Sequence, residues 1–272
     1  MPELPEVENV VLGLKTKLKN QLITKIVVRR EGLRQPFPVL DKTVGAKISE
    51  VSRRAKYILM QLDDDTTLIW HLGMSGRLNI FDKKKNYKPL KHDHLLMETP
   101  LYRVVLNDPR RFGLVDLVKT RNLNNYKFLR DLGIEPLDKG FTTVYLHKQL
   151  AHKKMPIKQA LMDQKVVVGI GNIYASEALF KAKISPLKAA NSLTLVQLEL
   201  LIAEITKVLR EAIKLGGSSL RDYVKADGKK GDFQKYHLVY GKAGEDCPVC
   251  SRKIQRIVQG GRATFYCAKC QK

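Results

Sequence analysis

Residues 247–270 read CPVCSRKIQRIVQGGRATFYCAKC and hold all four cysteines of the chain. Cys247 and Cys250 form one C-x2-C pair, Cys267 and Cys270 the other, with sixteen residues between the pairs. That spacing is the pattern of a four-thiolate zinc site. Each C-x2-C turn aims two sulfurs at one centre, and a hairpin between the turns closes the tetrahedron. Two disulfides and a redox dithiol are the alternatives. A reducing compartment disfavours the first, and two matched pairs disfavour the second. A segment this short has little core of its own, so one structural zinc supplies its folding energy. The apolar–polar alternation on either side of Gly260–Gly261 predicts two strands with the glycines at the turn. Arg262 then stands at the hairpin tip, where a cation reaches outward.

Upstream of this finger the chain changes character twice. Val7, Val10, Val11, Leu14 and Leu18 recur at helical spacing, and Pro and Glu residues in the first turn suit a helix start. Short runs follow that read as strands: LITKIVV, KYILMQL, TLIWHL, HLLMET, YRVVLN and LVDLV. Turn signals between them predict an antiparallel sandwich or barrel. Beyond about residue 120 the pattern turns helical, and TLVQLELLIAEITKVLREAIKLGG is a long amphipathic helix stopped by a glycine pair. The reading is therefore α+β: an N-terminal antiparallel β-sandwich with a leading helix, then a helical domain ending in the finger.

The chain has 272 residues, with 49 Lys plus Arg against 27 Asp plus Glu, a formal charge of +22. Such a balance favours a polyanionic partner, of which nucleic acid is the commonest. No apolar run approaches a membrane span, and the N-terminus lacks the basic-then-apolar pattern of a secretory signal. The stretch IKQALMDQKVVVGIGNIYASEALFKAKISP predicts a short helix, a glycine turn and a second helix beginning near Asn172, with Asn as its cap. A helix start with free amides favours phosphate. GIGN is not a dinucleotide fingerprint, because no third glycine follows and no parallel βαβ unit surrounds it.

Taken together, MPELPEVE, RRAKYIL, HLGMSGRL, KHDH, DPRRFG, DQKVVVGIGNIYASE, GGSSLRDY and GGRATFYCAKCQ resemble the bacterial formamidopyrimidine-DNA glycosylases nearly end to end and in the same order. The resemblance implies a bifunctional DNA glycosylase and abasic-site lyase. It would act on oxidised purines, 8-oxoguanine and formamidopyrimidines, in double-stranded DNA. It implies a β-sandwich over 1–125, a linker and hinge over 126–150, a helix–two-turn–helix domain with a lesion-capping loop over 151–236, and a zinc finger over 237–272.

Residue roles follow from the same resemblance. Removal of Met1 exposes the secondary amine of Pro2, and an α-amine titrates low enough, near ~7.7–8.0, for a neutral fraction to act as nucleophile. Considered alone, Pro2 also reads as a mere helix start. Glu3 matches the general acid. Glu6 either supports it or favours the helix dipole. Lys56 matches the lysine credited with proton donation around β-elimination, and a strand-face phosphate contact is its alternative. Arg262 matches the finger arginine linked to δ-elimination, where phosphate clamping suits a guanidinium better than proton donation.

Met74, Arg110 and Phe112 match the trio that fills the duplex when the damaged nucleotide is flipped out. Without the resemblance, Met74 and Phe112 read as core. His92, Arg111, Lys153, Lys158 and Asn172 match further DNA contacts. KHDH could pass for a metal pair, but strand alternation separates it from a third ligand. GGSSLRDYVKADGKKGDFQ matches the lesion-capping loop. Two rivals remain: an endonuclease VIII-like enzyme for oxidised pyrimidines, and a non-catalytic zinc-finger protein that binds damaged DNA. The expectation is a bacterial cytoplasmic monomer that meets the nucleoid through double-stranded DNA carrying oxidised purines or abasic sites, with no membrane partner.

Overall fold

Helix α1 (Leu4–Leu18) opens the chain, with Glu3 as its cap and Pro5 in its first turn. Its buried face is Val7, Val10, Val11, Leu14 and Leu18, the five positions spaced for a helix in the sequence. The computed structural model describes residues 1–219 and 223–272. Two compact units emerge: residues 1–130 with 215–234, and residues 131–214 with 235–272.

In the first unit, α1 precedes eight strands: β1 (Lys25–Val28), β2 (Ile48–Arg54), β3 (Tyr57–Leu62), β4 (Thr66–His71), β5 (Arg77–Asp82), β6 (Asp93–Glu98), β7 (Tyr102–Asn107) and β8 (Leu114–Lys119). They form two four-stranded antiparallel sheets, ordered β1-β6-β7-β5 and β2-β3-β4-β8. A single buried cluster joins them, with Ile58, Met60 and Trp70 from one sheet, Leu95, Met97 and Val104 from the other, and the apolar face of α1. The sandwich expected from the sequence is present.

Two of its strands were not among the runs read from the sequence. In β2, ISEVSRR, a register shift between Ile48 and Glu50 breaks the alternation, so Ile48 and Val51 both bury although three residues apart. In β5, RLNIFD, only Leu78 and Ile80 face the core. As an edge strand, β5 leaves part of its ladder open, and Ile80 N donates to Ala226 O at 2.9 Å. Tyr223 and Ala226 bury in the same core. Those contacts group 215–234 with the first unit. Residues 220–222 of the capping loop lie outside the described residues.

The second unit holds α2 (Thr143–Leu150), α3 (Ile157–Met162), α4 (Asn172–Lys181) and α5 (Leu195–Lys214), then the hairpin β9 (Gln255–Gln259) and β10 (Arg262–Tyr266). Helix α5 buries Leu198, Leu201, Ile205, Val208, Leu209 and Ala212 along one stripe. Burying each large aliphatic side chain is worth about 1.5–3 kcal/mol. At the start of α4, Gly171 takes the cap position and Asn172 is the first helical residue, so the helix begins one place earlier than an Asn172 cap implies. The Asn172 side chain is thereby free for other work. Among the described residues no helix is long and apolar enough to cross a membrane.

Candidate catalytic site and nucleic-acid interface

The chain's front end is held by buried hydrogen bonds. Pro2 and Glu3 are buried, while Met1 is exposed. Glu6, one turn into α1, is also buried, and both its oxygens have work: Oε2 accepts from Glu3 N at 2.8 Å, and Oε1 from Ser218 N at 2.7 Å. Glu6 thus ties the backbone at Glu3 to the backbone at Ser218. It caps the helix start and fastens residues 2–3 to the Gly216–Ser219 turn. Gly217, at φ +78°, passes so close that a Cβ would come within 2.8 Å of Glu6 Oε1, which requires glycine there.

Lys56 sits in the two-residue turn joining β2 to β3, where Ala55 adopts φ +53°. Arg53 pins that turn, because Nη1 donates to Ala55 O at 3.0 Å and Nε to Glu8 Oε2 of α1 at 2.6 Å. The lysine is therefore buried and preset, not a free surface cation. Next to it lies His71, stacked on Tyr57 with centroids 4.8 Å apart. Burial, then the nearby charges of Lys56 and Arg34, push the His71 imidazole down to about 4. Its Nδ1 accepts from Gly73 N at 3.1 Å, which puts any ring proton on Nε2.

Gly73 leads into the loop that carries Met74, and a second loop carries Arg110, Arg111 and Phe112. Met74 is 41 % exposed and Phe112 45 %, so neither is a core residue. The Arg110 guanidinium lies 4.8 Å from the centre of the Phe112 ring. Arg111, at φ +56°, takes a left-handed backbone conformation in this loop. Asp108, wholly buried, joins the two loops: Oδ1 accepts from Ser75 Oγ at 2.6 Å, and Oδ2 from Gly113 N at 2.8 Å. His94 Nε2 bonds Asp108 O at 2.8 Å, and Asp108 N donates to His92 O at 3.0 Å. KHDH is accordingly a brace for the second loop. His92 itself is half-buried beside that brace.

In the second unit, Lys158 is only 1 % exposed. Its ammonium donates to Asn172 Oδ1 at 2.5 Å, Thr264 Oγ1 at 2.7 Å and Ala263 O at 3.1 Å. Asn172 Nδ2 donates to Ala263 O at 2.8 Å. These two residues, expected at the DNA surface, tie α3 and α4 to β10 and fix the hairpin that carries Arg262. Gly260 and Gly261, at φ +53° and +73°, make the two-residue turn, and Arg262 pairs with Gln259 as β10 begins. Arg262 is exposed and lines a cleft of about 260 Å³ with Lys158, Gln159, Asp163 and Gln259. Lys153 pairs with Asp163 at 3.0 Å, and both stay partly exposed.

The four cysteine sulfurs lie within 4.8 Å of one another, and among the described residues they are the one cluster of that kind. Zn–S bonds of about 2.3 Å set tetrahedral S···S separations of about 3.8 Å. The Cys247–Cys270 and Cys250–Cys267 pairs, at 3.8 and 3.4 Å, fit one zinc. The finger's own core is small: Cys247, Ile254, Phe265 and Cys267, with Phe180 and Val239. Glu177, on the buried face of α4, holds the approach to it. Its carboxylate accepts from Leu238, Val239 and Tyr240 N at 2.8–3.0 Å. Burial raises the Glu177 pKa against the pull of those amides.

Asp108, Ser75, Arg53 and Glu177 were not singled out in the sequence. Asp108 had a signal, since Asp-Pro marks a turn whose carboxylate bonds nearby amides. So did Glu177, a lone acid between Ala175 and Ala178. Arg53 had none, because its partners are set by the fold.

Comparison with known proteins bears on the whole chain. Residues 1–115 match the formamidopyrimidine-DNA glycosylase N-terminal domain, 132–224 the formamidopyrimidine-DNA glycosylase H2TH domain, and 244–272 the zinc finger found in FPG and IleRS. A formamidopyrimidine-DNA glycosylase from Gluconobacter oxydans is 47 % identical, and one from Zymomonas mobilis 46 %, each covering 100 % of both chains. The crystal structure of a Lactococcus lactis FPG mutant with DNA containing Fapy-dG superposes with TM-score 0.91 at 37 % identity over 100 % of both chains. MutM (FPG) protein from Thermus thermophilus gives 0.90 at 36 % identity over 99 % of this chain and 98 % of that one. With three domain patterns in order and full-length relatives at this identity, the chain belongs to the formamidopyrimidine-DNA glycosylase family.

Proposed function

We propose that this protein is a bifunctional base-excision DNA glycosylase and abasic-site lyase that removes oxidised purines from double-stranded DNA. The observation that carries the reading is the full-length family match in a chain whose second residue is a buried proline next to Glu3, whose amide Glu6 holds. Removal of Met1 frees the Pro2 nitrogen. That nitrogen bonds to C1′ of the flipped nucleotide as the glycosidic bond breaks and the base departs with a proton. Glu3 delivers a proton to the opening sugar oxygen, leaving an iminium. The iminium draws electrons from the sugar, so C2′ loses a proton and the 3′-phosphate leaves. A second elimination then expels the 5′-phosphate. Lys56 supplies proton transfer around the first elimination, and Arg262 holds phosphate during the second.

Met74, Arg110 and Phe112 fill the vacated space in the duplex. Their exposure on two braced loops supports that role, because an apolar side chain held in water is available to enter a base stack. His92, Arg111 and Lys153 contact phosphates. For Lys158 and Asn172 the hydrogen bonds to β10 support a role in presenting the finger, with a phosphate meeting them at the cleft beside Arg262. Cys247, Cys250, Cys267 and Cys270 hold one structural zinc, which shapes the hairpin and takes no part in the chemistry. The same reading assigns the sandwich to 1–125, a hinge to 126–150, the helix–two-turn–helix region with its capping loop to 151–236 and the finger to 237–272. It makes the protein a cytoplasmic monomer acting on nucleoid DNA.

Strand cleavage tests the reading against its rivals. Duplexes with 8-oxoguanine opposite cytosine should be cut to products bearing phosphate at both ends. Faster cutting of thymine glycol would favour the endonuclease VIII-like alternative. Binding without any scission would favour the non-catalytic one.

A further inference from the structure

Between β5 and β6 the chain reads KKKNYKPLKH over residues 83–92, five lysines without an acid. The acids flanking it are occupied. Asp82 Oδ1 accepts from Lys84 N at 2.9 Å. Asp93 accepts from the Tyr87 hydroxyl and from Leu90 N through Oδ2, both at 2.5 Å, and from Asn107 Nδ2 through Oδ1 at 2.8 Å. Lys83 lies 3.5 Å from Glu98, which also pairs with Arg103 at 2.8 Å. Lys84, Lys85, Lys88 and Lys91 are exposed, and among the described residues none has an ion-pair partner.

The loop is nevertheless well fastened. Arg29 Nη1 donates to Leu90 O at 2.8 Å and Asp93 O at 3.1 Å. The Tyr87 ring lies 5.0 Å from Phe81, with the Arg103 guanidinium 5.5 Å from its centre. Pro89 fixes one more backbone angle. A fastened loop loses little conformational entropy on binding, so its free cations are preorganised for a polyanion.

Topology says where they lie. Strands β5 and β6 both run antiparallel to β7, with Asp82 opposite Tyr102 and Asp93 opposite Asn107. The loop therefore travels the length of β7, from its Tyr102 end to its Asn107 end. There the chain continues into Asp108 and the Arg110–Phe112 loop. His92, the loop's last residue, accepts the Asp108 amide at 3.0 Å.

We propose that Lys84, Lys85, Lys88 and Lys91 form a sequence-independent phosphate track that extends the DNA-contact surface away from the damaged nucleotide. The proposal rests on the glycosylase reading above. Its ligand is the duplex phosphate backbone, damaged or not, and its use is to lengthen the time the protein stays on undamaged DNA while scanning.

The test is the affinity of the full chain for an undamaged duplex over a range of salt concentrations, for the parent and for Lys84→Gln/Lys85→Gln/Lys88→Gln/Lys91→Gln. The slope of log K against log salt should become shallower by about 0.9 for each lysine that contacts a phosphate, so by about 2–4 in all. Replacing the same four by arginine should restore the parental slope. Single-turnover excision at saturating lesion DNA should match the parent, since none of the four belongs to the chemistry. An unchanged slope and affinity in the glutamine variant would overturn the track, even with excision intact in the parent. A parent unable to cleave 8-oxoguanine duplexes would instead overturn the glycosylase reading, which separates the two failures.

Discussion

Ser75 Oγ donates to the buried Asp108 Oδ1 at 2.6 Å, linking the Met74 loop to the Arg110–Phe112 loop across the end of the sandwich. The backbones there are nearly in contact. A Cβ on Gly73, itself at φ +60°, would fall 2.4 Å from the Phe112 carbonyl carbon. The Ser75–Asp108 bond and the close backbones hold the two loops against each other, and with them the spacing of Met74, Arg110 and Phe112.

Cutting that link should separate positioning from binding. Asp108→Ala strands the Gly113 amide and the Ser75 hydroxyl in a buried site, at about 1–3 kcal/mol for each group left unsatisfied. The expected outcome is a less stable protein whose excision falls by about 100-fold, the cost of misplacing groups by an ångström or so. Affinity for undamaged duplex should change far less. Ser75→Ala, which leaves the Gly113 bond intact, should show a milder version. Urea unfolding and single-turnover excision measure the two quantities, and equal losses in excision and plain duplex affinity would argue against a positioning role.

Glu6 offers a second division of labour. Glu6→Gln keeps one oxygen but turns an NH2 toward either Glu3 N or Ser218 N, both donors. Donor facing donor breaks one tie. The chain should still fold, with a stability loss of about 1–3 kcal/mol, because the apolar face of α1 is untouched. Excision should fall more steeply than melting temperature predicts, since the front end is no longer fastened. Retained activity with a large stability loss would make Glu6 only a helix cap.

Acid should reveal His71. Its folded pKa is depressed to about 4 from the usual 6.5, so the imidazole is neutral in the fold and the unfolded chain takes up the proton first. The related stability is fully present above pH 6.5 and is lost as pH falls toward 4, at up to about 1.4 kcal/mol per unit. Nitrogen chemical shifts of the ring should show a neutral Nε2–H tautomer still present at pH 5. A ring that titrates near 6.5 would contradict the burial and the Gly73 hydrogen bond.

Zinc removal should act on the hairpin and spare the sandwich. With few apolar residues of its own, the finger depends on the metal. Chelation, or Cys267→Ser, should release about one zinc per chain and disorder β9 and β10. It should also abolish tight DNA binding through loss of Arg262 placement. Near-ultraviolet signals from Trp70, at the centre of the sandwich core, should persist. Loss of those signals together with the zinc would show that the finger is not an independent element.

Much of this was legible in the sequence, for identifiable reasons. Helices α1 and α5 declared themselves because their apolar residues follow one period and bury on one face. The finger was legible because ligand spacing is a covalent property of the chain. Strands β2 and β5 escaped: a register shift spoils the alternation of one, and the other has only two inward residues at an edge. The exposure of Met74 and Phe112 could not be read from their types, which favour burial. Lys158 and Asn172 show the converse, since a lysine and an asparagine expected at a surface are drawn inward by carbonyl and hydroxyl groups that only the folded hairpin supplies. Asp108 became visible as a connector only once two distant loops met.

The central claim is that the Pro2 nitrogen bonds transiently to the sugar. Borohydride reduction during reaction with an 8-oxoguanine duplex freezes that bond, and peptide mapping by mass locates it. The account predicts an adduct on Pro2 of a chain lacking Met1, and none when an extra residue precedes Pro2. An adduct on Lys56 or any other side chain, or undiminished trapping with the terminus blocked, would contradict it.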